Sequence, residues 1–294
     1  MLNNRDWLAR VLELKEKLEE ALRKRISSQP NYCNVCIKER KPCRHSSLGV
    51  LFSGGVDCAV LAVLVDEFVE KNRPIDLINV AFDELNGYLT PDRITGLKTL
   101  EELKNINPSR KWNFIEVNVS QTELDELRKE RIADLIYPLK SILDDSLGCA
   151  LWFASRGKQG EDLVSSCRGL LVGMGADELF GGYTRHRAAF KKHSWLGLHN
   201  VLNEDWQNIS HRNLGRDDRV VSDHGRQLRT PYLDEDVVNF VRSLNSWEKT
   251  FPSDQGSTRI WRENSVKKFS VLYWAQICSK FQEKGVTVWF ENSK

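Results

Sequence analysis

Two short segments carry residues that could act on a nucleotide. The first is Ser53-Gly54-Gly55-Val56-Asp57-Cys58, entered from the apolar run Val50-Leu51-Phe52 and followed by a second apolar segment. A continuous apolar run of that kind suits a parallel strand buried on both faces. Gly54 and Gly55 have no Cβ, so the backbone can turn sharply there and come close to a ligand. A helix opening just beyond would aim unpaired N–H groups and the positive end of its dipole at an anion. The predicted arrangement is therefore strand, phosphate loop, helix. Asp57 would repel a bare phosphate, but it makes sense if Mg²⁺ lies between the two. The spacing is not G-x-x-x-x-G-K-[ST], which excludes the kinase type of phosphate loop.

The second segment follows a predicted strand over residues 169–173 and reads Gly175-Ala176-Asp177-Glu178-Leu179-Phe180-Gly181-Gly182-Tyr183. Asp177 would stand at the same sheet edge as Asp57, and two aspartates converging on a phosphate loop can share one Mg²⁺. The alternative is an acidic loop that is merely solvated, which would not require the strand before it. A third cluster, Cys33, Cys36, Cys43 and His45, has the spacing C-x₂-C-x₆-C-x-H. Four soft or borderline ligands could close a tetrahedral zinc site, with no open position and hence a structural role. Free thiols in a surface loop are the competing reading.

The elements that must position these residues are legible from apolar spacing. Leu8, Val11, Leu14, Leu18 and Leu22 mark an amphipathic helix over residues 6–26, packed on the domain. A helix is expected from Asp57 to about Lys71, ended by Arg73-Pro74, and a buried strand over 75–82 delivers Asp83 and Glu84 to its carboxyl end. Pro91 opens a helix through Leu103, and residues 112–119 alternate as a third strand. A helix capped by Thr122 is expected over 121–137, and a buried one over 145–156. Strands separated by helices imply a doubly wound parallel α/β sheet, whose carboxyl edge is where ligands bind.

The 294 residues suffice for one large domain or two. Charged residues make up 29% but balance to a net +2, so nothing demands a nucleic-acid or membrane partner. No apolar run approaches the roughly 20 residues that span a bilayer. Seven unevenly spaced cysteines fit a soluble, reduced, cytoplasmic chain.

SGGVDC resembles the SGGxDS signature of the ATP pyrophosphatases (PP-loop enzymes), which have the adenine nucleotide alpha hydrolase-like fold. GMGADELFGGY is similar to the GEGSDELFGGY of the asparagine synthetase family. The match extends to Asp144-Asp145-Ser146 with the following GCALWFASRG, and to LGRDDRVVSDHGRQLRTPYLD over residues 214–234, which resembles the family's RxDRxxMAxGxExRxPFLD. The resemblance covers about residues 8–245, with the Cys-rich segment as an insertion. It implies adenylation of the aspartate side chain by ATP, release of pyrophosphate, and displacement of AMP by ammonia. Ser53, Gly54, Gly55, Asp57 and Cys58 would hold pyrophosphate, Asp57 and Asp177 would hold Mg²⁺, Leu51 and Val80 would cradle the adenosine, and Gly175 would approach the substrate.

Departures from the family pattern are as informative. Cys58 replaces a serine and leaves a weaker donor. Met174 stands where the family has a glutamate that serves proton transfer, a task a thioether cannot perform, and Glu178 is one candidate substitute. No cysteine follows Met1, so the glutaminase half is expected to be missing, and ammonia would come from solution or from a separate glutaminase. Residues 257–294 lack the family's basic, apolar carboxyl-terminal segment and are expected to be read out of frame. The expected organisation is 1–47 as helix plus Cys-rich insertion, 48–256 as the synthetase-like domain and 257–294 as an atypical tail. An ATP-dependent amide ligase leads. A nucleotide-binding scaffold that lost the chemistry follows, and a tRNA-modifying pyrophosphatase is third.

Overall fold

The computed structural model describes residues 4–29 and 32–250; the expected tail, 257–294, lies outside them. The chain runs α1 (Asn4–Ser27), α2 (Asn34–Glu39), β1 (Leu48–Leu51), α3 (Val56–Asp66), β2 (Ile75–Ala81), α4 (Pro91–Ile106) and β3 (Trp112–Asn118). Next come α5 (Gln121–Leu127), a π-helical turn (Arg128–Ile132), α6 (Ala133–Ile136) and α7 (Ile142–Arg156). A small ribbon, β4 (Lys158–Gln159) with β5 (Leu163–Val164), precedes β6 (Gly169–Leu171) and α8 (Ala176–Phe180). The last elements are α9 (Thr184–Ile209), a second π-helical turn (Ser210–Leu214), α10 (Gly215–Ser222), β7 (Gln227–Arg229), a 3₁₀ turn (Pro231–Leu233), α11 (Glu235–Ser243) and α12 (Ser246–Lys249).

Five strands form one parallel sheet in the order β3-β2-β1-β6-β7. The chain walks outward from β1 to β3 and then crosses back to lay β6 on the other side of β1. The order therefore reverses between β1 and β6, and in open α/β sheets that switch point is where a crevice forms beyond the carboxyl ends. Successive side chains of β2 face opposite ways. Ile75 and Leu77 join a core with α1, α3 and α11, whereas Ile78 and Val80 join one with α7 and α10. Helices on both faces make this a doubly wound parallel α/β fold.

Local chemistry explains where elements begin and end. Val11, Leu14, Leu18, Ala21 and Leu22 of α1 are buried in the first core, as the spacing predicts. Every residue of α3 from Cys58 to Val65 is buried, so no polar face interrupts it. It ends at Asp66, five residues short of the expected Lys71. Beyond that end the chain is held by Arg110, whose guanidinium donates to the carbonyls of Asp66, Val69, Glu70 and Arg73; only the first of these would be an internal acceptor in a helix reaching Lys71. The expected single helix over 121–137 is present as one continuous helical run over 121–136, with the π turn inside it. Its cap is Ser120, which accepts from the Glu123 amide at 3.3 Å, and not Thr122.

Candidate functional site: two aspartate loops at the strand switch point

The phosphate-loop segment leaves the sheet under tight control. The Phe52 amide donates to Ile78 at 2.7 Å, and Asn79 Nδ2 donates to the Phe52 carbonyl at 2.8 Å. Gly54 has φ +81°, and a Cβ there would overlap the backbone of Thr95 and Gly96 in α4. Thr99 Oγ1 donates to the Gly54 carbonyl at 2.9 Å. Glycine is needed at 54 for the turn and for the helix behind it. At Gly55, by contrast, an added Cβ would meet only Ser53 Oγ, at 3.3 Å, so the outer side of the loop is open to a ligand. Gly55 caps α3 without a side-chain hydrogen bond, which leaves the helix amides facing that open side.

Cys58 is directed inward. Its Sγ donates to the Gly55 carbonyl at 3.0 Å and lies 3.7 Å from Ser53 Oγ, and burial pushes the thiol up to about 11. It is a neutral thiol whose hydrogen is used inside the loop. Leu51 and Val80, half-buried near the carboxyl ends of β1 and β2, pack against the second core.

The β6–α8 connection meets the first loop directly. A Cβ on Gly173 would lie 2.9 Å from the Cβ of Asp57, so Asp57 rests on this connection. Met174 is half-buried beside it. Gly175 has φ +92°, and a Cβ there would overlap Leu233. One turn on, the Asp177 carboxylate occupies the space that a Gly182 Cβ would fill, and the Asp177 carbonyl accepts from the amides of Gly181 and Gly182 at 2.8 and 3.2 Å. Asp57 and Asp177 thus sit on adjacent loops that flank the switch point. Carboxylate oxygens suit a hard divalent cation such as Mg²⁺, and the missing Cβ of Gly182 is what lets the Asp177 carboxylate sit against that glycine.

Glu178 is buried, and its Oε1 accepts from Tyr183 Oη at 2.6 Å and Asn213 Nδ2 at 3.1 Å. Burial and the neighbouring Glu178 raise the Tyr183 phenol, which therefore stays a donor. His186 is buried with its Nδ1 accepting from the Tyr183 amide at 3.2 Å, and its Nε2 lies 2.6 Å from Asp205. Burial lowers its pKa, so the ring is neutral, and the proton on Nε2 donates to Asp205.

Several residues of this site have no assigned role in the sequence reading. Tyr232 Oη donates to the Asp57 carbonyl at 3.1 Å, Leu233 fills the space over Gly175, and Asp234 both caps α11 and pairs with Arg25 at 2.7 Å. The Pro-Tyr-Leu-Asp segment thereby braces both loops and ties them to α1. Arg216 bridges Asp144 at 2.7 Å and Asp217 at 2.6 Å. Burial pushes the Asp217 carboxyl up to about 6 against the pull of Arg216. Arg93, fully buried, fastens α4 to the sheet through Asn79, Glu116 and Asn118. The motif match over 214–234 points to the first two groups; Arg93 carries no comparable signal.

The fold and the paired aspartate loops define a doubly wound α/β domain with two acidic loops at its strand switch point. Comparison with known proteins narrows the class: the model of the family described as asparagine synthase matches residues 43–198, and the chain belongs to that family. An asparagine synthetase domain-containing protein of Drosophila melanogaster is 42% identical over 264 residues, covering 83% of this chain and 46% of that protein. Its counterpart in Homo sapiens is 40% identical over 301 residues, covering 85% and 47%. The chain thus spans about half the length of these relatives. A putative glutamine-hydrolyzing asparagine synthetase of Methanocaldococcus jannaschii is 28% identical, covering 67% of this chain and 32% of that protein.

Proposed function

We propose that this chain is an asparagine synthetase-like, ATP-dependent amide ligase domain. The observation that supports it most is the packing of Asp57 on the loop that carries Asp177, beside the open amide terminus of α3. ATP would lie across the carboxyl ends of β1 and β2, its adenosine against Leu51 and Val80. Its β- and γ-phosphates would face Ser53, Gly54, Gly55 and the first turn of α3, with Cys58 shaping the loop from within. Asp57 and Asp177 would hold Mg²⁺, which when bound offsets the charge of the pyrophosphate group.

The reaction follows from what a carboxylate lacks. It is a poor electrophile, and its oxygen is a poor leaving group. One side-chain oxygen of aspartate attacks the α-phosphorus, the bond to the bridging oxygen breaks, and pyrophosphate leaves. Ammonia then adds to the acyl carbon, loses a proton and expels AMP, which gives asparagine. The chain's residues contribute by positioning and by charge neutralisation. Gly175 leaves the acceptor side free of a side chain. Asp177 and Glu178 are the carboxylates closest in sequence to that step, and ammonia comes from solution or from a separate glutaminase.

One specific observation favours a second reading, a nucleotide-binding domain without the chemistry. Met174 cannot take a proton, and Glu178 already accepts from Tyr183 and Asn213. Purified protein incubated with Mg·ATP, aspartate and ammonium separates the two. Aspartate-dependent release of pyrophosphate with formation of asparagine, abolished in Asp57→Ala, is the expected result. ATP binding with no aspartate-dependent release sinks the ligase reading in favour of the second. Release driven by tRNA instead points to a nucleic-acid substrate.

A further inference from the structure

The Cys-rich segment takes no part in the reaction proposed above. Its four candidate ligands nevertheless converge, with all ligand atoms within 4.8 Å of one another. His45 Nδ1 lies 3.4, 3.3 and 3.8 Å from the sulfurs of Cys33, Cys36 and Cys43. A tetrahedral centre with zinc–sulfur bonds of about 2.3 Å and a zinc–nitrogen bond of about 2.0 Å requires sulfur–nitrogen separations of about 3.5 Å. The observed spacings bracket that value.

The backbone is organised to present this set. Cys33 caps α2, and its Sγ accepts from the Cys36 amide at 3.4 Å, so two ligands stand one helical turn apart. Arg40 at φ +54° reverses the chain after α2, and the Lys41 amide closes the turn on the Cys36 carbonyl at 3.1 Å. That reversal returns Cys43 and His45 to the first pair, and the Cys33 amide donates to Cys43 Sγ at 3.3 Å. Amide donation to sulfur favours the thiolate form that a metal needs. Three thiolates and a neutral imidazole around Zn²⁺ carry net charge −1, and the exposed Lys38, Arg40, Lys41 and Arg44 flank the site and outnumber the one acid among them, Glu39, which pairs with Lys41 at 3.0 Å.

We propose that Cys33, Cys36, Cys43 and His45 bind one structural zinc ion that staples the connection between α1 and β1. The three cysteines form a cluster of their own, apart from both main cores, so the connection has little apolar packing to order it. Binding releases the thiol protons and converts metal affinity into folding free energy. Four protein ligands leave no open position for water or substrate. The site also lies at the amino-terminal edge of the sheet: residues 46 and 47, just after His45, hydrogen-bond to Ser166 and Arg168 ahead of β6. The aspartate loops stand beyond the opposite edge.

The test uses the full chain, purified under reducing conditions without chelator. Elemental analysis is expected to find about one zinc per chain, lost in Cys36→Ser and retained in Cys149→Ser. Chelation should lower Tm by about 5 °C or more, with recovery on adding zinc. Because Cys36→Ser could fail to fold, metal-free native protein is also titrated with Co²⁺, where visible bands of tetrahedral thiolate-bound cobalt should saturate near one equivalent. Zinc that persists in Cys36→Ser, bound iron in place of zinc, a disulfide within the cluster, or cobalt that gives no thiolate bands each overturns the proposal.

Discussion

Asp217 is a carboxyl group held where ionisation is costly. It is almost fully buried, and Asp144 and Glu178 add to the burial that pushes it up to about 6, while Arg216 opposes them. Its pKa is raised on folding, so the native state binds the extra proton between about pH 4 and 6. Its contribution to stability is then present at the low end of that window and is lost as pH rises through it. At about 1.4 kcal/mol per pH unit the effect is at most about 3 kcal/mol. Denaturant unfolding across this range should show wild type losing stability relative to Asp217→Asn as pH rises; parallel curves would show that the carboxyl ionises as freely folded as unfolded. Glu178 is the contrasting buried carboxyl, because two donors, Tyr183 Oη and Asn213 Nδ2, converge on its Oε1.

At the scale of elements, the phosphate loop is shaped from behind as much as from in front. Gly54 lies against α4, and α4 is fixed by Arg93, so Gly54→Ala must either strain a positive φ or push the helix away. A loss of about 2–4 kcal/mol and of nucleotide binding together is expected, read by thermal unfolding with and without ATP. Tyr232 offers the contrasting case. Tyr232→Phe keeps the ring in the core but removes the hydrogen bond to the Asp57 carbonyl, at a cost of about 1 kcal/mol. ATP affinity should fall while Tm moves by only a few degrees. A variant with unaltered affinity would show that the brace does not tune the loop. The shortened α3 teaches a related point: where local spacing extends the helix to Lys71, the chain after Asp66 is instead held by Arg110, far along the sequence.

For the whole molecule, α1 belongs to the same core as the phosphate-loop helix α3, and its Lys24 and Arg25 reach Asp234 beside the loops. Leu18→Ala, at a fully buried position, should therefore destabilise the entire domain by about 2–5 kcal/mol in one cooperative transition. An early, separate melting of α1 would contradict that. No helix of the described residues is long and apolar enough to cross a membrane. Buried strands, the glycine turn at Gly54, the acidic residues at 57 and 177 and the Cys-His spacing are all legible in the sequence, because residue type and local periodicity express them. The placement of β6 beside β1, which brings Asp57 onto the Asp177 loop, is not local. Nor are the burial of Arg93 and Arg216, the brace at Tyr232, or the return of Cys43 and His45 to Cys33. Strand order and side-chain burial depend on which distant surfaces exclude water together, and that was decided only when the chain packed.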